Sequence, residues 1–183
     1  MNTVEPIRDK AVVKDMHDYL KSHNLRDGLM FAMGVYTGLR ISDILKLRVR
    51  DVRNKDFISI REIKTRKEKL IPINKFLRGQ IDEYIQGKKD YEFIFKSPKK
   101  PNAPISRQQA YNILTEAAQK FGIESVGCHT LRKTFGYLTY QKTKDAAMLM
   151  DIFNHSDIHT TLRYIGVNQD TKNKIYNQID ILE

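Results

Sequence analysis

The sequence predicts an α+β fold that is mostly α, a helical domain with one small antiparallel β-sheet. Apolar residues recur at helical spacing through most of the chain, as in amphipathic helices. The period changes over residues 57–60 and 70–73, two apolar runs that are typical of strands. The chain has 183 residues, of which 40% are hydrophobic. This length suits a single domain with a sizeable core over residues 1–183.

Three helices are predicted before the sheet. Helical spacing indicates the first over residues 9–22, and the apolar run 29–35 indicates a buried second helix. Gly38 is suited to end that helix, because glycine adopts the left-handed conformation that often follows a helix. The third helix is short, with its apolar residues on one side: Ile41, Ile44, Leu45 and Leu47.

The basic stretch 64–69 is predicted to connect the two strands of the sheet.

Helices and loops alternate in the rest of the chain. Residues 91–95 are predicted to form a short strand, and residues 96–104, with three prolines and three lysines, a loop. Ser106 and Gln109 form a capping-box pattern, which marks the start of a helix. The helices predicted after the sheet cover residues 76–85, 106–120, 129–142, 146–153 and 171–179.

Positive charge is concentrated in the middle of the chain. The formal net charge is +10. Residues 46–100 hold 17 lysines and arginines against 8 acidic residues, and the remaining residues hold 15 against 14. Such a surface suits a polyanion, because each neutralised phosphate releases counterions. A solvated charged face, as many globular proteins have, would give the same composition.

Several classes of protein do not fit this sequence. No apolar run approaches the roughly 18 residues that a membrane span needs, so no membrane partner is expected. The first residues lack the apolar stretch of a secretion signal. Cys128 is the only cysteine, which excludes an intramolecular disulfide and a cysteine-based zinc cluster. These observations favour a cytoplasmic protein.

Arginine, histidine and tyrosine side chains supply the chemistry that phosphodiester cleavage requires. Arg40 and Arg132 could each bond two phosphate oxygens, because a guanidinium is planar and always charged. Tyr164 could attack the phosphorus, although a phenol with a pKa of about 10 must first lose its proton. His129 and arginines bound to the phosphate are candidates to ease that loss. Taken singly, the arginines could be surface residues and Tyr164 a half-buried packing residue.

The arrangement of these residues resembles the catalytic domain of the tyrosine recombinases, the phage-integrase family. The resemblance runs from about Pro6 to about Ile179. It implies an enzyme that cleaves and rejoins DNA through a 3′-phosphotyrosyl intermediate, without a metal ion or cofactor. Six positions carry it, in the family's order and at similar separations: Arg40, Lys64, His129, Arg132, His155 and Tyr164.

The resemblance implies a role for each of these residues. Tyr164 would be the nucleophile, and the two arginines would neutralise the charge that builds on the phosphate. Lys64 would protonate the departing 5′ oxygen. It is chosen because it precedes Pro72 by eight residues, while Lys67 and Lys69 remain open because the sequence does not fix the hairpin register.

Two further residues have alternative interpretations. His155 would bond the phosphate, but the family's usual Leu-Gly-His is replaced by Phe153-Asn154-His155. Asparagine tolerates left-handed backbone angles, so the turn before His155 is expected to survive. Asp43 is expected to orient a catalytic side chain. It could equally be an acid favoured in the first turn of a helix.

Double-stranded DNA is the implied partner, in the nucleoid, and accessory DNA-bending proteins are compatible with this role. The enzyme would self-associate on DNA, as a tetramer in the synapse. Residues 166–183 are the expected contact between subunits, because Ile175, Ile179 and Leu182 form an apolar stripe at helical spacing. The alternative is that this helix packs on the domain of its own chain.

The N-terminal core-binding domain of relatives is expected to be absent. Two other functions remain open, a type IB topoisomerase and an inactive DNA-binding module of the same fold.

Overall fold

The computed structural model describes residues 4–61 and 68–179. Within these residues the chain is mostly helical with one two-stranded antiparallel sheet, which confirms the predicted fold class. The strands are β1 (Phe57–Arg61) and β2 (Glu68–Pro72). The helices are α1 (Lys10–His23), α2 (Leu25–Thr37), α3 (Ile41–Ile44), α4 (Lys75–Ile85), α5 (Arg107–Lys120), α6 (Thr130–Thr143), α7 (Ala146–Phe153), α8 (Ile158–Tyr164) and α9 (Val167–Gln178).

Side chains and turns define the helix ends. The Asp9 carboxylate accepts a hydrogen bond from the Ala11 N–H and begins α1. Gly38 ends α2 in the left-handed conformation, with φ of 62°, as the sequence predicts. The predicted capping box is present at α5, where the Ser106 and Gln109 side chains each accept a hydrogen bond from the other residue's backbone N–H. Such caps satisfy N–H groups that have no partner within a helix.

The sheet pairs β1 with β2 in a register that places Ile60 opposite Lys69. Lys69 and Glu68 therefore belong to β2, and the prediction that they lie in the connection was wrong. The burial alternates along β1, where Ile58 is fully buried and Ser59 exposed, as expected for a sheet with one covered face. The connection itself, residues 62–67, lies outside the described residues.

The predicted strand over residues 91–95 is absent from the structure. This segment consists of turns with one isolated bridge, between Phe93 and Arg48. Two backbone bonds hold it there, from Val49 to the Glu92 carbonyl and from Ile94 to the Leu47 carbonyl. The ladder cannot extend, because the chain after Arg48 turns at once into a 3-10 helix. Burial of Ile94 and Phe95, rather than strand pairing, explains the apolar pattern.

The buried apolar residues form two clusters. The larger one, the main core, packs α1 to α6 together and includes Met16, Phe31 and Phe95. The second, the small cluster, consists of three buried residues, two in α7 and one directly after α8, which are Leu149, Phe153 and Ile165. Helix α6 lies against the small cluster at Gly136, where a Cβ atom would come within 2.6 Å of atoms of Ile165 and Phe153.

Two segments at the ends of the described chain are linked. The N-terminal strap, residues 4–8, crosses α6, and the Ile7 N–H donates to the buried Thr134 hydroxyl at 2.9 Å. The Arg8 guanidinium forms an ion pair with Asp170 of α9 at 2.8 Å. Helix α9 begins four residues before the predicted start and buries none of its side chains. The helix ends at Gln178, so Ile175 lies on it while Ile179 follows it in extended conformation, and each is 53% exposed.

Candidate active site

Arg132 connects α6 to the ends of two other helices. Its side chain is buried, with only 3% of the residue exposed. Nη1 donates to the Gly38 carbonyl at 2.7 Å, and Nη2 donates to the Phe153 carbonyl at 3.1 Å. The guanidinium carbon also lies 4.6 Å from the centroid of the Phe153 ring. The positive charge is therefore held in one place by the carbonyls that follow α2 and end α7.

Arg40 immediately precedes α3 in extended conformation and is half-buried. Its carbonyl accepts hydrogen bonds from the N–H groups of Asp43 and Ile44, at 2.9 and 3.1 Å. The turn before Arg40 requires glycine at position 38 for two reasons. Gly38 has a positive φ, and a Cβ atom there would lie 2.4 Å from the Phe135 ring. Asp43 itself is buried, at 5% exposure.

The His129 imidazole faces the Tyr164 phenol across 3.4 Å, measured from Nδ1 to Oη. His129 stands immediately before α6, and Tyr164 is the last residue of α8. Partial burial lowers the pKa of His129 below its usual value, and the charges of Arg107 and Arg132 lower it further. The lowered pKa favours the neutral imidazole at pH 7, the form whose unprotonated nitrogen can accept a proton. Burial raises the pKa of the Tyr164 phenol, and the charges of Arg132 and Arg40 oppose that rise.

His155 follows a left-handed turn at Asn154, whose φ is 57° and ψ is 49°. The expectation that asparagine would preserve this turn is confirmed. The His155 ring lies 5.1 Å from the Tyr164 ring, centroid to centroid, and its Nδ1 is 3.0 Å from the Thr161 hydroxyl. That contact orients the imidazole. Burial lowers the pKa of His155, as do the charges of Arg132 and Arg40.

The structure thus brings five of the six predicted site residues into one region. The charges of Arg40 and Arg132 act on the other three, which are His129, His155 and Tyr164. Lys64 and its rival Lys67 lie outside the described residues. Lys69, the other rival, is described, and its ammonium donates to the Ile152 carbonyl at the end of α7. One lysine of the hairpin therefore reaches the edge of this site.

Sequence reasoning missed two contacts of Tyr164. The Phe153 ring lies 5.4 Å from the Tyr164 ring and also contacts Arg132 and His155. The Lys133 ammonium lies 5.2 Å from the centroid of the Tyr164 ring. The only sequence signal for Lys133 was its place directly after Arg132, which does not reveal that its side chain is buried.

Helix α8 was also missed, although its signals are present. The Asp157 carboxylate accepts from the Thr160 N–H and begins the helix. Ile158, Leu162 and Ile165 then recur at helical spacing. The predicted last helix started only at residue 171, and the segment that carries Tyr164 received no assignment.

The arrangement can perform phosphate chemistry. Two arginines, a neutral imidazole and a phenol meet where a phosphodiester could bind, since arginine bonds phosphate oxygens in pairs. Within residues 4–61 and 68–179, no group of three or more histidine, cysteine or acidic side chains is placed to hold a metal ion. None of the helices described is long and apolar enough to cross a membrane.

The chain belongs to the phage integrase family, whose model matches residues 8–171. The fold is that of a tyrosine recombinase catalytic domain. A probable integrase/recombinase, YoeC, of Bacillus subtilis (strain 168) is 48% identical over 176 residues, covering 96% of this chain and 97% of the relative. A tyrosine recombinase of Pseudothermotoga lettingae is 28% identical, covering 97% of this chain and 66% of the relative.

Solved structures share the fold at lower identity. The crystal structure of XerA recombinase superposes with a TM-score of 0.74 at 20% identity, covering 95% of this chain and 65% of that one. The crystal structure of XerH site-specific recombinase bound to a palindromic difH substrate superposes with a TM-score of 0.71 at 18% identity. The match covers 96% of this chain and 53% of that one. The chain therefore spans nearly all of the Bacillus relative but only about half to two thirds of these other proteins.

Proposed function

We propose that this protein is a site-specific recombinase or integrase that cleaves and rejoins double-stranded DNA through a 3′-phosphotyrosyl intermediate. The observation that carries the proposal is the contact between the Tyr164 phenol and the neutral His129 imidazole, within the field of two arginines. A nucleophile paired with a base is the arrangement that activates a weakly acidic group for attack. The names of the relatives agree with this activity.

The proposed reaction is a transesterification, in which the number of phosphate ester bonds stays the same. Tyr164 Oη attacks the scissile phosphorus and forms a new P–O bond, while its proton passes to His129. The bond between phosphorus and the 5′ oxygen breaks, and that oxygen takes a proton from a lysine. Arg40, Arg132 and His155 stabilise the charge of the five-coordinate phosphorus. The 5′ hydroxyl of a partner strand then reverses the same steps and releases Tyr164.

Asp43 is proposed to orient its neighbour Arg40 rather than to contact DNA. Its backbone N–H bonds to the Arg40 carbonyl, and its carboxylate is buried in the first turn of α3. A carboxylate within hydrogen-bonding distance of a guanidinium would fix the position of that cation. The alternative of an acid placed only to suit the helix dipole applies to the same position.

A nicked suicide duplex tests the proposed activity. Cleavage just before the nick releases a short strand that diffuses away, so the covalent protein–DNA adduct accumulates and resists denaturant. Adding a second duplex with a free 5′ hydroxyl should then yield a joined recombinant strand. Failure to form any adduct would support an inactive DNA-binding module. Adduct formation that rejoins only its own strand and relaxes supercoils would support a type IB topoisomerase.

The leaving-group lysine is proposed to be Lys64, and a sulfur substrate tests this choice. A 5′-bridging thiolate departs without protonation, so Lys64→Ala should cleave ordinary DNA at least tenfold more slowly and the sulfur-substituted DNA nearly as fast as the parent protein, as expected for losing general-acid catalysis. Single-turnover cleavage of both substrates gives the ratio. Lys67→Ala and Lys69→Ala are the matched controls, and rescue in either one instead would move the role to that residue.

Self-association on DNA is proposed to use the exposed apolar residues at the end of α9. Ile175 stands on a helix that buries none of its own residues, Ile179 follows the end of that helix in extended conformation, and Leu182 lies outside the described residues. Exposed apolar residues grouped on one face commonly mark an interaction surface. One structural relative is a lambda integrase dimer bound to a core site. Action on DNA would place this protein at the nucleoid, and native electrophoresis of the protein with DNA measures the assembly.

A further inference from the structure

Lys133 is a buried lysine whose ammonium has two contacts. The residue is 7% exposed and lies in the first turn of α6, next to Arg132. Nζ donates to the Val4 carbonyl of the N-terminal strap at 2.6 Å. The same atom lies 5.2 Å from the centroid of the Tyr164 ring. One cation therefore joins the strap to the proposed nucleophile.

Anchoring the strap does not by itself account for this lysine. The strap is already fixed to α6 by the buried bond from the Ile7 N–H to the Thr134 hydroxyl and to α9 by the ion pair of Arg8. Burying an ammonium is unfavourable unless it is well bonded. Burial does lower the pKa of Lys133, Glu5 opposes this effect, and Arg8 adds to it. A buried cation at this point calls for a role in which its charge matters.

The position over the tyrosine ring supplies such a role. An ammonium near an aromatic ring is attracted to the negative face of the ring. The attraction grows when the phenol loses its proton, because the ring then carries part of a negative charge. The backbone carbonyl of Val4 keeps the ammonium from moving away.

We propose that Lys133 is a positioning residue that holds Tyr164 for attack, with its ammonium fixed in place by the Val4 carbonyl. This inference rests on the proposed function, in which Tyr164 is the nucleophile. The proposed role requires no contact of Lys133 with the phosphate or the leaving group.

Substitutions at Lys133 separate its charge from its hydrogen bond. Lys133→Met keeps an unbranched apolar stem, and Lys133→Gln keeps a neutral donor for the Val4 carbonyl. Both should slow single-turnover cleavage of the suicide duplex about tenfold at saturating DNA, which corresponds to about 1.4 kcal/mol. Lys133→Arg retains the cation, so its cleavage rate should stay within about threefold of the parent rate. A change of that size lies within the energy of one cation–aromatic contact.

Thr134→Val is the matched control, because it removes the neighbouring bond to the strap and leaves the contact between Lys133 and Tyr164. Its cleavage rate should change less than twofold when measured below the melting temperature of every variant. If Thr134→Val loses as much rate as Lys133→Met, the lysine acts only through strap anchoring and the proposal fails. Equal rates for Lys133→Gln and the parent protein would also overturn it.

A spectroscopic readout separates this inference from the proposed function. Tyrosine labelled with ¹³C at Cζ gives one resonance for each of the nine tyrosines, and the signal missing in Tyr164→Phe identifies Tyr164. Lys133→Met and Lys133→Gln should shift that signal, whereas Thr134→Val should not. An unshifted signal in both overturns the proposal. A shift without any loss of cleavage rate also overturns it, whereas a covalent adduct formed by Tyr164→Phe would overturn the nucleophile assignment instead.

Discussion

Tyr164→Phe is expected to abolish covalent attachment to DNA while leaving the fold nearly unchanged. The substitution removes one oxygen atom and keeps the ring that packs against Phe153 and His155. The contact of the Tyr164 oxygen with His129 is long, at 3.4 Å, and the ring packing is retained, so little stability should be lost. Denaturing electrophoresis with the suicide duplex measures the adduct, and thermal unfolding measures the fold.

Tyr176→Phe is the matched control for this prediction. Tyr176 stands on α9, is 74% exposed and carries the same chemical group. The control should form adduct at the rate of the parent protein. An adduct that persists in Tyr164→Phe and disappears in Tyr176→Phe would identify Tyr176 as the nucleophile instead.

Arg132→Ala is expected to lower both the cleavage rate and the stability. Loss of one donor to the transition state slows catalysis by roughly a hundredfold or more. The substitution also removes the donors to the carbonyls of Gly38 and Phe153. Each buried acceptor left without a donor costs about 1–3 kcal/mol, so the loss of both donors should lower the free energy of unfolding by roughly 2–6 kcal/mol. Single-turnover kinetics and urea unfolding measure the two effects.

Arg163→Ala provides the control for simple loss of a positive charge. Arg163 is exposed in the last turn of α8, one residue before Tyr164. Its loss should leave stability within about 0.5 kcal/mol, as is usual for surface positions. DNA affinity should fall only modestly in both variants, because many basic residues contribute to backbone binding. Equal losses of affinity and rate in Arg132→Ala would identify a docking contact instead of a catalytic residue.

Local sequence signals were sufficient for much of the fold and for part of the site. The end of α2 at Gly38 and the start of α5 at Ser106 follow from backbone and capping chemistry that acts over a few residues. The left-handed turn at Asn154 followed from the same kind of reasoning. Tyr164, Arg132 and their partners were found through the family pattern, which records the positions in the chain but not the contacts.

The remaining features depend on contacts between residues far apart in the chain. Lys133 meets Val4 at a separation of 129 residues, and no local pattern reports such a contact. Lys69 belongs to β2 because of the register in which β1 pairs with β2. A basic stretch without a recognisable turn motif does not specify that register. The false strand over residues 91–95 arose because buried apolar residues in a turn resemble those of a short strand.

The division between main core and small cluster has a consequence for hydrogen exchange. Segments held by few buried apolar residues open locally at a lower free energy than segments in a large core. Helix α8 packs with the small cluster of three buried residues, whereas α2 lies in the main core. Amide protons of α8 are therefore expected to exchange with solvent sooner than those of α2. Each such opening would withdraw Tyr164 while Arg40 stays in place, so on warming the protein is expected to lose its ability to cut DNA before it unfolds.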